Sequence, residues 1–167
     1  MESWRVGEGK RIQNFYTKIQ YRYECFNNSP TLHFTKSLII INMSEFSDEF
    51  KNRTKKFAIS IINLSKSFPK IEEAFIIKKQ LLRSTFSVAS NYRAVCRARS
   101  DAEFFSKLCI VVEEADETVF WLELLIESGV FNGNEIDRNL KEANEILSIV
   151  AKSRKTMKEK STNFSTL

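Results

Sequence analysis

Glu113, Asp116 and Glu117 stand three and four residues apart, which on a helix gathers them on one face. Carboxylates so placed suit a metal or acid–base chemistry. A di-iron site of the bundle type, however, needs Glu-x-x-His on two helices, and the sequence holds a single histidine, His33. An acid–base role further needs surroundings that perturb a pKa. The plainer reading is a solvated or ion-paired face. Ser84, Ser87 and Ser90 recur at three-residue steps. As nucleophiles they lack a histidine partner, and no S-x-x-K lies near them. Small side chains at this spacing let helices pack closely. Asn91, beside Tyr92, is expected to bond across the helix contact. No glycine-rich phosphate loop is present. The expectation is a non-enzymatic protein with no metal, no cofactor and no small-molecule substrate.

Charge is the other chemistry. On a wheel of about 100° per residue, Lys79, Arg83, Arg93 and Arg97 fall within roughly 80° of one another. No acidic residue occurs between Ala74 and Ser100. Phe86 and Ser90 lie along this basic stripe. The next helix is the reverse, with eight carboxylates against Lys107 alone between Asp101 and Glu127. Its outer face carries Ile110, Glu113, Glu117, Phe120, Trp121 and Leu124. A Trp and a Phe outside the core suggest a buried contact elsewhere. One reading sets Arg83, Arg93 and Arg97 of one subunit against Glu113, Glu117, Phe120, Trp121 and Leu124 of its neighbour, through cation–π and bidentate pairing. A second pairs the charges within the subunit or leaves them to solvent. A third gives the stripe, Lys79 included, to nucleic acid. Lys152, Arg154, Lys155 and Lys158 form a second basic element, which also suits the negative end of a helix dipole.

These side chains need helices to hold them, and the periodicity supplies four. Phe50, Phe57, Ile61, Leu64 and Phe68 form one apolar stripe over residues 46–67, with Ser47 as N-cap and Phe68-Pro69 as the stop. The second helix spans 72–98, with Ile77, Leu81, Thr85, Val88, Tyr92, Val95 and Cys96 inward. Ser100 and Glu103 make a capping box for the third, whose inner stripe is Phe104, Leu108, Val111, Ala115, Val119, Leu122 and Ile126. Gly129 is placed as its C′ glycine. The fourth opens at Asn134 and repeats Ile136, Leu140, Ala143, Leu147 and Val150, after which the chain becomes basic and frays. Short connections favour an all-α, antiparallel up-down four-helix bundle.

The composition agrees. The 167 residues carry 26 Lys and Arg against 21 Asp and Glu, a net charge of +5, with 43% apolar residues. Four Gly and two Pro are too few for the turns of an all-β fold. Three scattered cysteines, Cys25, Cys96 and Cys109, suit free thiols in a reducing cytoplasm. The longest aliphatic run, Leu38 to Ile41, is far below the ~20 residues of a membrane span.

Long stretches then become recognisable. Gln80-Leu81-Leu82-Arg83-Ser84, Ser87 through Ala94, Cys96-Arg97-Ala98-Arg99-Ser100, Glu113 through Thr118 and Trp121 through Leu125 resemble the bacterial "four helix bundle protein" family. That family includes proteins encoded in intervening sequences of large-subunit ribosomal RNA genes. The resemblance covers residues 46–155 and is densest over 80–126. It implies an all-α bundle assembled as a ring, a homopentamer, without enzymatic activity. A related branch, the accessory protein of diversity-generating retroelements, is a basic pentameric barrel that binds nucleic acid and a reverse transcriptase. Two functions follow as expectations. The family context favours an accessory protein holding RNA or a nucleoprotein. The charge after Met43, only +2, favours a protein-interaction scaffold.

Residues 1–42 differ from the rest. They hold six basic residues against three acidic ones and keep no helical period beyond two turns. Leu32 to Ile41 suits a strand, but a strand without a partner. The expected organisation is an irregular leader over 1–42, the bundle over 43–155 and a flexible basic tail over 156–167. Met43-Ser44-Glu45 reads as a second start, and the leader has no counterpart in the family. Mass spectrometry of the native protein is expected to find an N-terminal peptide at Met43; a peptide from within 1–42 rejects this.

Overall fold

Phe57, Ile61 and Leu64 are buried, as their spacing predicts, and they face the centre of a bundle of four helices. The computed structural model describes the backbone of residues 33–164 and the side chains of residues 47–158. Helix α1 is His33–Leu64, α2 is Glu72–Val95, α3 is Asp101–Glu127 and α4 is Asn134–Phe164. There is no strand among the described residues. The chain divides into two compact units. Lys51–Arg154 holds the four-helix core. In the other, Met1–Phe50 with Lys155–Leu167, Phe50 and Met157 are buried.

The core is aliphatic. Leu81, Leu108, Leu122, Leu125, Ile136 and Ile146 are almost wholly excluded from solvent. The predicted inward residues of α2 from Ile77 to Val95 are all buried, and only Cys96 is half-exposed. On α3 the predicted stripe is buried from Leu108 to Leu122, with Phe104 and Ile126 half-buried at its ends. On α4 the buried stripe is wider than predicted. It adds Asn139, Ile146, Ile149 and Ser153 to Ile136, Ala143 and Val150, while the predicted Leu140 and Leu147 are only half-buried.

Neighbouring helices run antiparallel. The Phe68 and Phe131 rings meet at 4.9 Å, so the α1–α2 and α3–α4 connections share one end of the bundle. At that end Lys78 Nζ also donates to the Ser65 carbonyl at 2.9 Å. The α2–α3 connection is closed by Ser100, whose Oγ accepts from the Glu103 N–H at 3.1 Å. Glu103 returns a carboxylate oxygen to the Arg99 N–H at 2.9 Å, one residue earlier than a standard capping box. That bond holds the Glu103 carboxyl below the usual carboxylate range. Gly129 takes the left-handed conformation, φ +71°, directly after the α3 C-cap Ser128, as predicted.

The helix ends depart from the sequence reading. Helix α1 begins at His33, not near residue 46, so Ser47 lies inside it rather than at its N-terminus. No Gly or Pro occurs between Pro30 and Pro69, so nothing interrupts the backbone. A short run such as Leu38 to Ile41 cannot be told from a strand by periodicity alone. Residues 33–42, predicted irregular, are therefore helical, while residues 1–32 lie outside the described residues. The same helix stops at Leu64, before Phe68-Pro69. Its last turn tightens through bonds from Lys66 N to Asn63 O and from Ser67 N to Leu64 O. Helix α4 begins at Asn134, and its N-cap is Gly133, one residue before the predicted cap, because the Gly133 carbonyl accepts the first bond, from Asp137 N at 3.3 Å. It then continues to Phe164 through the predicted tail, whose Lys, Glu and Met are good helix formers.

Ser60 and Arg53 of α1 both reach α4. Ser60 Oγ donates to Asn139 Oδ1 at 2.6 Å. Arg53 places Nε and Nη2 on the two oxygens of Glu142 at 2.6 and 2.8 Å, and Nη2 also reaches Glu145 at 2.6 Å. These bonds raise the Arg53 pKa further above its ordinary value, Glu142 contributing most. Arg53→Ala leaves two half-buried carboxylates facing each other. We expect a loss of about 1–3 kcal/mol in urea unfolding at pH 7; an unchanged midpoint rejects the pairing.

Candidate functional site

Helix α2 turns its apolar side to the core, which sends its cations outward. Lys79, Arg83, Arg93 and Arg97 are all exposed, on the face where the sequence places them. Phe86 stands among them, 42% exposed. Beneath Arg83, Ser84 is buried and accepts from Thr118 of α3 at 3.0 Å while donating to the Leu81 carbonyl. This contact sets α2 against α3 and fixes which carboxylate meets which cation.

Arg83 Nη2 lies 3.1 and 3.2 Å from the two oxygens of Glu117 in the same chain. Within the single chain Arg83 and Glu117 thus pair with each other, because the Ser84–Thr118 register brings the two side chains together one residue away. Trp121, half-buried one turn along α3, donates its indole N–H to Glu117 Oε1 at 3.0 Å. The indole bond and then Arg83 hold the Glu117 carboxyl below the usual carboxylate range, against a modest opposing burial. Phe120 meets Trp121 edge-on at 4.9 Å, yet is itself 51% exposed. Glu113 is exposed and Leu124 half-buried. Lys79, Arg93 and Arg97 make no ion pair among the described residues.

The serines and Asn91 are occupied locally. Ser90 donates to the Ser87 carbonyl at 3.2 Å. Asn91 Nδ2 bonds the Ser87 carbonyl and hydroxyl at 3.0 and 3.1 Å, on its own helix rather than across the bundle as predicted. A side chain four residues along a helix reaches the earlier carbonyl more readily than a neighbouring helix. Among the described residues no three His, Cys, Asp or Glu side chains gather as a metal site. No described helix is long and apolar enough to cross a membrane. Along α4, Lys152, Lys155 and Lys158 are exposed and Arg154 is half-buried.

Sequence reasoning missed three features. The Arg53–Glu142–Glu145 cluster depends on the register of α1 against α4, which no periodicity carries. Glu114 Oε2 is buried without a hydrogen-bond partner. The third is the outer face of α1, where Ile59 and Ile62 are exposed beside exposed Lys55 and Lys56. A signal for it exists, since no acidic residue lies between Glu49 and Glu72.

Comparisons with known proteins place this arrangement. Residues 48–152 match the family model described as 23S rRNA-intervening sequence protein. A crystal structure from Bacteroides thetaiotaomicron, a protein of unknown function from the S23 ribosomal protein family, is similar. It is 33% identical, with a TM-score of 0.59, and the match covers 65% of this chain and 97% of that one. No curated protein matches the chain.

The lowered Glu117 pKa gives a signed pH dependence. Its stabilisation is full above the ordinary glutamate range, near pH 4.3, and is lost as pH falls through the lower folded value. Glu117→Gln is expected to cost up to about 1 kcal/mol at pH 7, since Arg83 is largely exposed. The gap in thermal midpoint between wild type and variant is expected to shrink toward pH 3. A gap that stays constant from pH 7 to pH 3 rejects the ionic origin.

Proposed function

The chain belongs to the 23S rRNA-intervening sequence protein family, and from that premise we propose that it is a non-enzymatic, ring-forming bundle, a pentamer, acting in the cytoplasm as a nucleic-acid-associated accessory protein. It holds RNA or a ribonucleoprotein through repeated basic surfaces. The observation that carries this reading is the exposure of Lys79, Arg93 and Arg97 on a helix that has no carboxylate beyond Glu72 and Glu73 in its first turn. Arg83, occupied by Glu117, contributes less. Lys152, Arg154, Lys155 and Lys158 supply a second basic element.

Such cations meet phosphate rather than base edges, so the expected binding has little sequence preference. One subunit offers few contacts. A ring repeats them, and linked weak contacts multiply into useful affinity when the geometry lets them engage together. The exposed Phe86 and Phe120 favour a second reading, a scaffold that binds another protein and touches RNA weakly.

An RNA titration at two salt concentrations, with the particle mass measured in the same buffers, separates the two. The accessory role predicts binding by an oligomer that weakens steeply with salt, by about 0.7 in the exponent per phosphate engaged on single strands. Lys79→Ala with Arg93→Ala and Arg97→Ala is expected to lower affinity about tenfold or more at low salt and to flatten that dependence. An intact oligomer without affinity for RNA rejects the accessory role and leaves the scaffold.

A further inference from the structure

Among the exposed apolar residues, those of α1 and of α3 sit in surroundings of opposite charge. On α1, Ile59 is 48% exposed and Ile62 38%, one turn apart. Lys55 falls within roughly 60° of them on the helical wheel and Lys56 borders them, while Lys66 follows in the turn just past the helix end at Leu64. All three lysines are exposed. The segment from Phe50 to Ile71 contains six basic residues and no acidic one. Arg53 is turned toward Glu142 and Glu145, so the outward charge of this face comes from its lysines. On α3, Phe120 is 51% exposed at the centre of an arc of roughly 80° that holds Glu113, Asp116, Glu123 and Glu127, all exposed.

We infer that the outer face of α1 in one copy docks on the outer face of α3 in a second copy of this chain. The inference deepens the oligomeric part of the proposed function and rests on it. Each face has an apolar centre with a charged surround, the make-up of a protein interface. The lysine-flanked isoleucines meet the carboxylate-flanked phenylalanine with opposite charges in register. Two copies of either face repel each other, so a two-fold contact is disfavoured. The contact is head-to-tail, which closes a ring when the rotation suits. Both faces are exposed in the single chain, so neither covers the other within it. RNA is a poorer occupant of the α1 face, because a phosphate backbone offers nothing to two protruding isoleucines. The acceptor helix is the one expected from sequence, and α1 offers it a lysine-flanked apolar donor face while Arg83 of α2 pairs with Glu117 in its own chain.

The test uses the full chain with one face removed at a time. Ile59→Asp with Ile62→Asp removes the α1 face, and Phe120→Lys removes the α3 face. Light scattering at tens of micromolar is expected to show wild type as an oligomer and each variant alone as a monomer. An equal mixture of the two variants is expected to give a one-to-one dimer, because one intact α1 face then meets one intact α3 face and no further site remains. Charge reversals guard against misfolding. Lys55→Glu with Lys56→Glu and Asp116→Lys with Glu123→Lys are each expected to lose assembly alone and to associate again when mixed, in alternating order and so in even-numbered particles rather than in a five-membered ring. A wild-type monomer, a variant with wild-type mass, or a mixture that stays monomeric overturns the inference. Titrating RNA on the same samples keeps it apart from the nucleic-acid role. Oligomers that ignore RNA count against that role alone, and variants that lose RNA at unchanged mass count against this contact.

Discussion

Ser60 meets Asn139 between α1 and α4, and Thr118 meets Ser84 between α2 and α3, inside a core built mainly of Leu, Ile and Val. An aliphatic seam alone tolerates sliding, since one leucine fits a neighbouring hole nearly as well as another. A buried hydroxyl or amide does not. Displaced by one turn, about 5.4 Å, each of these groups loses its cross-helix partner inside the core and incurs the desolvation cost of a bond unmade. The polar pairs therefore select one register from the several that the stripes allow. Everything on the surface inherits that choice. Glu117 lies under Arg83 because Thr118 lies on Ser84, and Glu142 faces Arg53 because Asn139 faces Ser60, one turn away on α4.

Inward faces and local caps are properties of one helix at a time, and these the sequence displays openly. Ser100 with Glu103 announces the start of α3, Gly129 its end, and the burial from Ile77 to Val95 follows from spacing alone. Relations between helices are different. Nothing near Arg53 says that its partners lie some ninety residues on, and nothing near Arg83 says whether Glu117 belongs to the same chain. Helix ends fall between these cases. The start of α1 was illegible because a run such as Leu38 to Ile41 suits a strand as well as a helix, and no glycine or proline marks a stop. The basic stripe of α2 was legible as a surface, but the partner of its central arginine was not.

The Arg83–Glu117–Trp121 group does little for stability and much for arrangement. An exposed ion pair is worth about 0–1 kcal/mol. Yet the indole bond holds Trp121 against α3 and leaves Phe120 beside it standing into solvent. The group also neutralises one cation of the α2 stripe while sparing Lys79, Arg93 and Arg97. Positive and negative surfaces thus remain separate on adjoining helices rather than cancelling across the groove between them.

That separation gives the molecule a large electric moment for so small a net charge. Eight carboxylates on α3 and the acid-free stretches of α1 and α2 act as opposite poles, although the whole sequence sums to only +5. Such a body turns in the field of an approaching polyelectrolyte before it touches it, and presents its cationic pole first. Its isoelectric point of about 9.1 is then a poor guide to handling. A single subunit shows an anion-exchange bead its α3 pole and a cation-exchange bead the other, and so can be retained on both resins, whereas an assembly that docks α1 on α3 covers part of each.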